Sequence, residues 1–173
     1  EYIKIPYIVI INCSNDLYNK LKNKKIKNVI LNPEHFDKKR FHGSILKGII
    51  SNINYLLSLH LDVSCILILS NRCFFKKKFF NEKIGYNPNT LRLKNEIDIK
   101  NWHWAIFKET ILFKRYDKLA LSEHEGLLLN ITEVKYINDF MDDNPNIKEE
   151  LFNKDGCVEE FAIQTILING GYN

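Results

Sequence analysis

The sequence predicts a single α/β domain in which helices flank a mixed, mostly parallel sheet. The 173 residues suit one domain. Their 45% hydrophobic content can build a core, and a charged fraction of 27% argues against disorder. The first seventy residues alternate strand, helix, strand, helix and strand in their hydrophobic pattern. That order favours parallel strands joined by right-handed crossovers.

Hydrophobic periodicity places the elements of the first half. Apolar runs at 7–11, 29–31 and 63–69 predict buried strands, the last of them a central parallel strand with Cys65 in the core. Residues 16–24 predict a short helix. Residues 44–59 carry the apolar stripe of a helix packed on a sheet, with Ser44 as its N-cap. Because parallel sheets bind ligands at the carboxyl ends of their strands, 12–15 and 70–72 are predicted ligand loops.

The second half is less regular. Residues 102–116 become helical towards their end, and apolar runs at 119–121 and 127–129 predict two short strands. Asn130 and Glu133 form a capping-box pattern that opens a helix, which should end near residues 143–145. A last helix is predicted to begin near residue 157 and to stop at the Gly170 and Gly171 pair.

Charge and motif content exclude several function classes. The formal net charge is only +4, so nucleic acid is not an expected partner. The chain lacks the glycine-rich dinucleotide and P-loop patterns, the G-x-S-x-G nucleophile motif and the H-E-x-x-H zinc motif. Its four cysteines form no C-x-x-C pair, so neither a zinc site nor a disulfide framework is expected.

Carboxylate ligands for a divalent metal are also missing at the predicted ligand edge. Ser70, Asn71 and Arg72 follow the strand at 63–69, where an Asp-x-Asp pair would hold Mg²⁺ or Mn²⁺. The adjacent Asp142 and Asp143 are interpreted as a solvated surface pair. We therefore expect neither a metal nor a cofactor.

Three segments carry a resemblance to a known family. They are the strand-to-loop unit at 66–75, the Trp102-His103-Trp104 segment with residues 122–126, and the helix start Val-Glu-Glu-Phe-Ala-Ile-Gln-Thr at 158–165. Together they resemble the core-2/I-branching family of N-acetylglucosaminyltransferases, especially its short bacterial and viral relatives. In that family the first segment faces the donor, the second faces the acceptor, and the third carries the catalytic Glu.

The resemblance implies a GT-A-type, Rossmann-like catalytic domain over residues 1–173 and an inverting, metal-independent glycosyltransferase. Such an enzyme moves a sugar, for example GlcNAc, from a UDP-linked donor to a hydroxyl of a glycan or glycolipid acceptor. The absent Asp-x-Asp agrees with a reaction that needs no metal. The implied site residues are Glu160, or alternatively Glu159, as the general base; Asn12, Ser14, Asn71 and Arg72 at the donor; and Trp102, Trp104, His124 and Glu125 at the acceptor.

Each of these roles has a structural alternative. A first-turn carboxylate has a fixed geometry for taking the acceptor's proton, but first-turn acids also favour helices electrostatically. Without a metal the leaving diphosphate needs cations such as Arg72, which is as readily a surface residue. Tryptophan rings stack on sugars but also fill cores. Loop residues such as Asn12 and Ser14 equally satisfy local backbone.

Two departures from the family pattern keep other functions open. The family has Asp-Glu where this chain has Glu159 and Glu160, and its basic diphosphate-binding residues lie beyond the point where this chain ends, at Asn173. A non-catalytic carbohydrate-binding or degenerate transferase domain is therefore the alternative function. A nucleic-acid-binding module is a second one, because the basic run 76–78 lies among phenylalanines.

The cellular location is constrained only weakly. No signal peptide or membrane-spanning stretch is visible, and the first residue is Glu1. We expect a piece of a longer protein, truncated at either end. Its location would be the cytoplasm or the cytoplasmic face of a membrane, or the Golgi lumen if the protein is eukaryotic.

Overall fold

The computed structural model describes residues 6–70, 91–93, 105–120 and 126–172. In these ranges the chain is a mixed α/β structure built from short strands and longer helices. The elements are β1 (Val9–Ile11), α1 (Asn15–Leu21), β2 (Val29–Leu31), α2 (Ser44–Ser58), β3 (Cys65–Leu67), β4 (Leu91–Leu93), a 3₁₀ helix (Ala105–Glu109), α3 (Ile111–Arg115), β5 (Lys118–Ala120), β6 (Leu128–Asn130), α4 (Ile131–Asp143), α5 (Pro145–Asn153) and α6 (Glu159–Asn169).

The described strands form three separate pairs. β1 and β2 are parallel, with Val9 opposite Val29, as the strand-helix-strand order predicts. β3 pairs with β6 and β4 with β5, both antiparallel. The α/β class is confirmed, but the expectation of a central parallel strand at 63–69 is wrong. The expected burial is also wrong, since β1, β2 and β3 consist of exposed and partly buried residues. An apolar run carries no information about the direction of a strand's partner.

Cys65 is exposed, so its predicted place in the core is also wrong. It lies at the end of the β3–β6 ladder, opposite the exposed Asn130, where the partner strand turns into α4. At this corner its side chain stays in contact with solvent.

Local capping chemistry explains where several helices begin and end. The Ser14 hydroxyl accepts the N–H of Leu17 at the start of α1. At α4, Asn130 and Glu133 form the predicted capping box. The Asn130 side chain accepts the backbone N–H of Glu133, and the Glu133 side chain accepts the backbone N–H of Asn130. α6 ends at Gly170, also as predicted. α5 is not among the predicted elements; Pro145 occupies its first turn.

The start of α2 differs in detail from the prediction. Gly43, not Ser44, is the N-cap, and the Ser44 hydroxyl instead accepts the N–H of Lys39. A Cβ on Gly43 would overlap the backbone carbonyl of Leu151 in α5. This close approach of two backbones therefore requires glycine.

α6 lies at the centre of the core. Its side chains from 161 to 167 are all buried, and the ring of Phe161 stacks on Phe107 with centroids 3.7 Å apart. α6 packs against β5 and α4, while α2 packs against α4 and α5. The Thr165 hydroxyl accepts the N–H of Ala120 at 3.1 Å and donates to its carbonyl oxygen at 3.2 Å. Apolar packing and polar contacts thus both fix the helix that begins with the two glutamates.

Candidate functional site

The first turn of α6 holds two adjacent carboxylates in different surroundings. Glu159 is only 2% exposed, whereas Glu160 is partly exposed. Successive helical residues point about 100° apart around the axis, which follows from 3.6 residues per turn, so one glutamate faces the core and the next faces outward. Both glutamates lie in the first turn of the last helix, as predicted. Of the two, Glu160 is the carboxylate that a solvent-borne molecule can reach.

Gly156 shapes the entry into α6. Its φ of +124° is a conformation that residues with a side chain rarely adopt. A Cβ here would also lie 2.7 Å from Cγ2 of Ile106. The sharp turn at this glycine sets the direction from which the first turn of α6 starts.

A backbone pairing ties this entry loop to the segment before α2. The N–H of Gly156 donates to the carbonyl oxygen of Phe41 at 2.7 Å, and the N–H of Gly43 donates to that of Lys154 at 2.8 Å. The two bonds frame an antiparallel bridge between residues 42 and 155. The 33–43 segment is thereby anchored three residues before Glu159.

A thiol lies beside the two carboxylates. The ligand atoms of Cys157, Glu159 and Glu160 all lie within 4.8 Å of one another. Burial, followed by the charges of the two glutamates, raises the pKa of the Cys157 thiol from 9.0 to about 11, because each disfavours the thiolate. A thiolate and two carboxylates are ligands that Zn²⁺ accepts. Acidic groups also gather in first helical turns for electrostatic reasons, so this trio alone does not indicate a metal.

Polar side chains form a network at the carboxyl ends of β1 and β2. Asn32, which follows β2 and is 1% exposed, donates to the Ser51 hydroxyl at 2.9 Å and to the Asn52 oxygen at 3.0 Å, both on α2. Asn12, which follows β1, donates to the Ser51 hydroxyl at 3.2 Å and to the carbonyl oxygen of Glu34 at 2.6 Å. The network joins both strands to α2 at the edge where parallel strands present ligand sites.

The two described donor-site candidates both make intramolecular contacts. Ser14 caps α1. The side-chain amide of Asn12 has bonds at its nitrogen and at its oxygen. A nucleotide that contacts the Asn12 amide would therefore have to replace one of these bonds. The other candidates, Asn71, Arg72, Trp102, Trp104, His124 and Glu125, lie outside the described residues.

Lys38 lies at the same edge and is not among the predicted site residues. Its ammonium donates to the backbone oxygen of Asn12 at 3.0 Å and to the side-chain oxygen of the same residue. Its methylene stem crosses Gly48 of α2, where an added Cβ would overlap Cε of the lysine. The sequence does hold part of this signal, because an asparagine follows each of the two parallel strands. Nothing local marks Lys38, whose contact with Asn12 spans 26 residues.

No protein-family model, curated protein or solved structure matches this chain. The likeness to the core-2/I-branching family therefore rests on the three segments named above and stays a prediction. In the described part of the chain, no helix combines the length and the apolar character needed to cross a membrane. Asp142 is exposed and bonds the Lys148 ammonium at 2.7 Å, which confirms its interpretation as a surface residue.

The arrangement offers two chemical functions. A partly exposed carboxylate at the start of a buried helix can accept a proton. A partly buried ammonium at the carboxyl ends of two parallel strands can bind an anion. The 33–43 segment carries Lys38 and is hydrogen-bonded to the loop that leads to Glu160, so backbone pairing links the two elements.

Proposed function

We propose that this chain is a metal-independent, inverting glycosyltransferase domain of GT-A-like fold. It transfers a sugar, for example GlcNAc, from a UDP-linked donor to a hydroxyl of a glycan or glycolipid acceptor. The observation that carries the proposal is the placement of Glu160. This carboxylate is partly exposed at the first turn of α6, whereas the neighbouring Glu159 and residues 161–167 of the same helix are buried.

In the proposed reaction Glu160 acts as the general base. Its carboxylate takes the proton of the acceptor hydroxyl while that oxygen forms a bond to the anomeric carbon. The bond from the anomeric carbon to the donor phosphate breaks on the opposite face, and UDP leaves with the electron pair. The configuration of the anomeric carbon is therefore inverted.

Rigid support makes Glu160 suitable for this role. General-base catalysis depends on holding the carboxylate within hydrogen-bond reach of the attacking hydroxyl. The stack of Phe161 on Phe107 and the bonds from Thr165 to Ala120 hold α6 in place. The turn at Gly156 fixes the direction of its first residues.

Product analysis tests the proposal directly. The chain would be incubated with a panel of UDP-sugars and glycan acceptors, and products would be identified by mass spectrometry and NMR. We expect a glycoside of inverted configuration, formed equally well after treatment with EDTA. In Glu160→Gln, kcat should fall about 10²- to 10⁴-fold, which is the usual contribution of a general base.

Glu149→Gln is the matched control, because it makes the same chemical change at an exposed position of α5. Its kcat should equal that of the wild type. Sugar binding without turnover of any UDP-sugar would favour the alternative, a non-catalytic carbohydrate-binding or degenerate transferase domain. Turnover that survives Glu160→Gln would exclude Glu160 as the base and leave Glu159 as the candidate.

A further inference from the structure

The charge of Lys38 is only partly compensated by its described surroundings. Lys38 is partly exposed, and its ammonium donates to two neutral oxygens, both on Asn12. Among the described residues it forms no ion pair within 4.0 Å; the described ion pairs join Lys148 to Asp142 and Lys154 to Glu109. A partly desolvated cation held by neutral groups is costly, and a bound anion would offset that cost. Burial lowers the pKa of Lys38, and the charges of Cys13 and Asp37 offset this only in part.

A second ammonium contacts the same aromatic ring as the first. The Lys38 and Lys47 ammonium groups lie 4.8 and 4.6 Å from the centroid of the same ring, that of Phe36. The two nitrogens are therefore at most about 9.4 Å apart, the sum of these distances. Both cations are held in place by the ring, and one is also held by Asn12, so little entropy is lost when an anion binds them.

The surrounding segment keeps a positive balance. Between residues 33 and 47 there are four lysines and arginines against two acids, Glu34 and Asp37. The Glu34 carboxylate accepts the Ser51 hydroxyl at 2.7 Å, so one of its oxygens faces the network. Asp37 favours the charged form of Lys38 but is itself exposed, so water weakens its effect. The two acids do not cancel the four cations.

We infer that Lys38 and Lys47 form a binding site for the diphosphate group of a phosphorylated ligand. The site lies at the carboxyl end of β1 and β2, where a parallel strand pair presents its ligands. Two cations within this distance suit a group that carries charge on two linked phosphates better than a single phosphate. As the site for the donor's diphosphate, the inference rests on the proposed function. It then supplies cations that a metal-free departure of UDP requires.

Titration calorimetry with three probes tests the site. Inorganic pyrophosphate and UDP should bind the wild-type chain, whereas uridine, which lacks phosphate, should bind much more weakly. In Lys38→Gln the affinity for pyrophosphate should fall about tenfold to a hundredfold, the usual worth of a hydrogen bond to a charged group. Lys38→Arg should retain more of the affinity, because it keeps the charge.

Two further variants distinguish a specific loss of the site from a general change in net charge and from loss of folding. Lys39→Gln removes a charge from the adjacent exposed position and should change the affinity less than about twofold. Gly48→Ala adds a methyl group where the stem of Lys38 lies, so it should displace the ammonium and weaken binding with every charge intact. Circular dichroism and urea unfolding would show that each variant is folded. Should Lys38→Gln fail to fold, Lys47→Gln and Gly48→Ala give the same test.

The possible outcomes distinguish this inference from the proposed function. Pyrophosphate binding that depends on Lys38 supports the site even if no sugar is ever transferred. Sugar transfer whose KM for the donor is unchanged in Lys38→Gln keeps the enzyme and overturns the site. Equal loss in Lys38→Gln and Lys39→Gln, or no pyrophosphate binding by the wild type, also overturns it.

Discussion

Replacing Thr165 with Val tests how α6 is held against β5. The Thr165 side chain is completely buried, and its hydroxyl bonds both the N–H and the carbonyl oxygen of Ala120, which is itself 2% exposed. Val has nearly the same shape but offers no hydrogen bond. The substitution therefore leaves two buried backbone groups without this partner.

The expected loss of stability follows from the number of bonds removed. Each of the two buried polar groups that loses its partner costs about 1–3 kcal/mol, so the free energy of unfolding should fall by about 2–6 kcal/mol. That is a large part of the roughly 5–15 kcal/mol available to a domain. With an m-value of about 2 kcal/mol per molar, the urea midpoint should drop by about 1–3 M.

Thr165→Ser is the informative control in the same urea titration. It keeps the hydroxyl and removes one buried methyl group, which costs about 1 kcal/mol. Thr132→Val makes the same change at an exposed position of α4, where the hydroxyl donates to the side chain of the N-cap Asn130, and should cost less stability than Thr165→Val. If Thr165→Val is as stable as the wild type, or if Thr165→Ser is the more damaging of the two, the hydroxyl does not hold α6 to β5.

Two further predictions concern the loop that leads into α6. Gly156→Ala should destabilise the fold by about 1–3 kcal/mol in urea titrations because of its positive φ. Adding Ile106→Ala to the Gly156→Ala variant relieves only the steric overlap, so it should not restore the stability lost to the positive φ. Full recovery of stability would contradict the assignment of backbone strain. The pKa of Cys157 is higher in the folded chain than in the unfolded one, so the folded state retains the proton between pH 9 and about 11. Unfolding free energy should therefore fall across this window more in the wild type than in Cys157→Ala, and equal slopes would exclude the shift.

Some elements could be read from the sequence because their signals are local. The apolar stripe of α2, the capping box of Asn130 with Glu133 and the glycine stop of α6 each depend on residues within a few positions of one another. Such signals act through backbone geometry that is the same in any fold. The position of Glu159 and Glu160 in a first helical turn was predictable for this reason.

Strand pairing could not be read in the same way. The run around β3 has the composition of a buried parallel strand, yet β3 pairs antiparallel with β6, more than sixty residues later. Partner and direction depend on which distant segment meets the strand, and composition alone does not specify this. The exposure of Cys65 follows from the same pairing.

The α/β class, the extents of α2 and α4 and the acidic pair at the start of α6 follow from local sequence patterns. That Glu159 is buried while Glu160 is partly exposed is known only from the folded chain, because helix orientation depends on packing against β5 and α4. It alone brought Lys38 to Asn12 and paired the 41–43 segment with the entry to α6. These contacts join residues 26 or more positions apart, and no local pattern encodes which distant groups will satisfy a buried amide or ammonium.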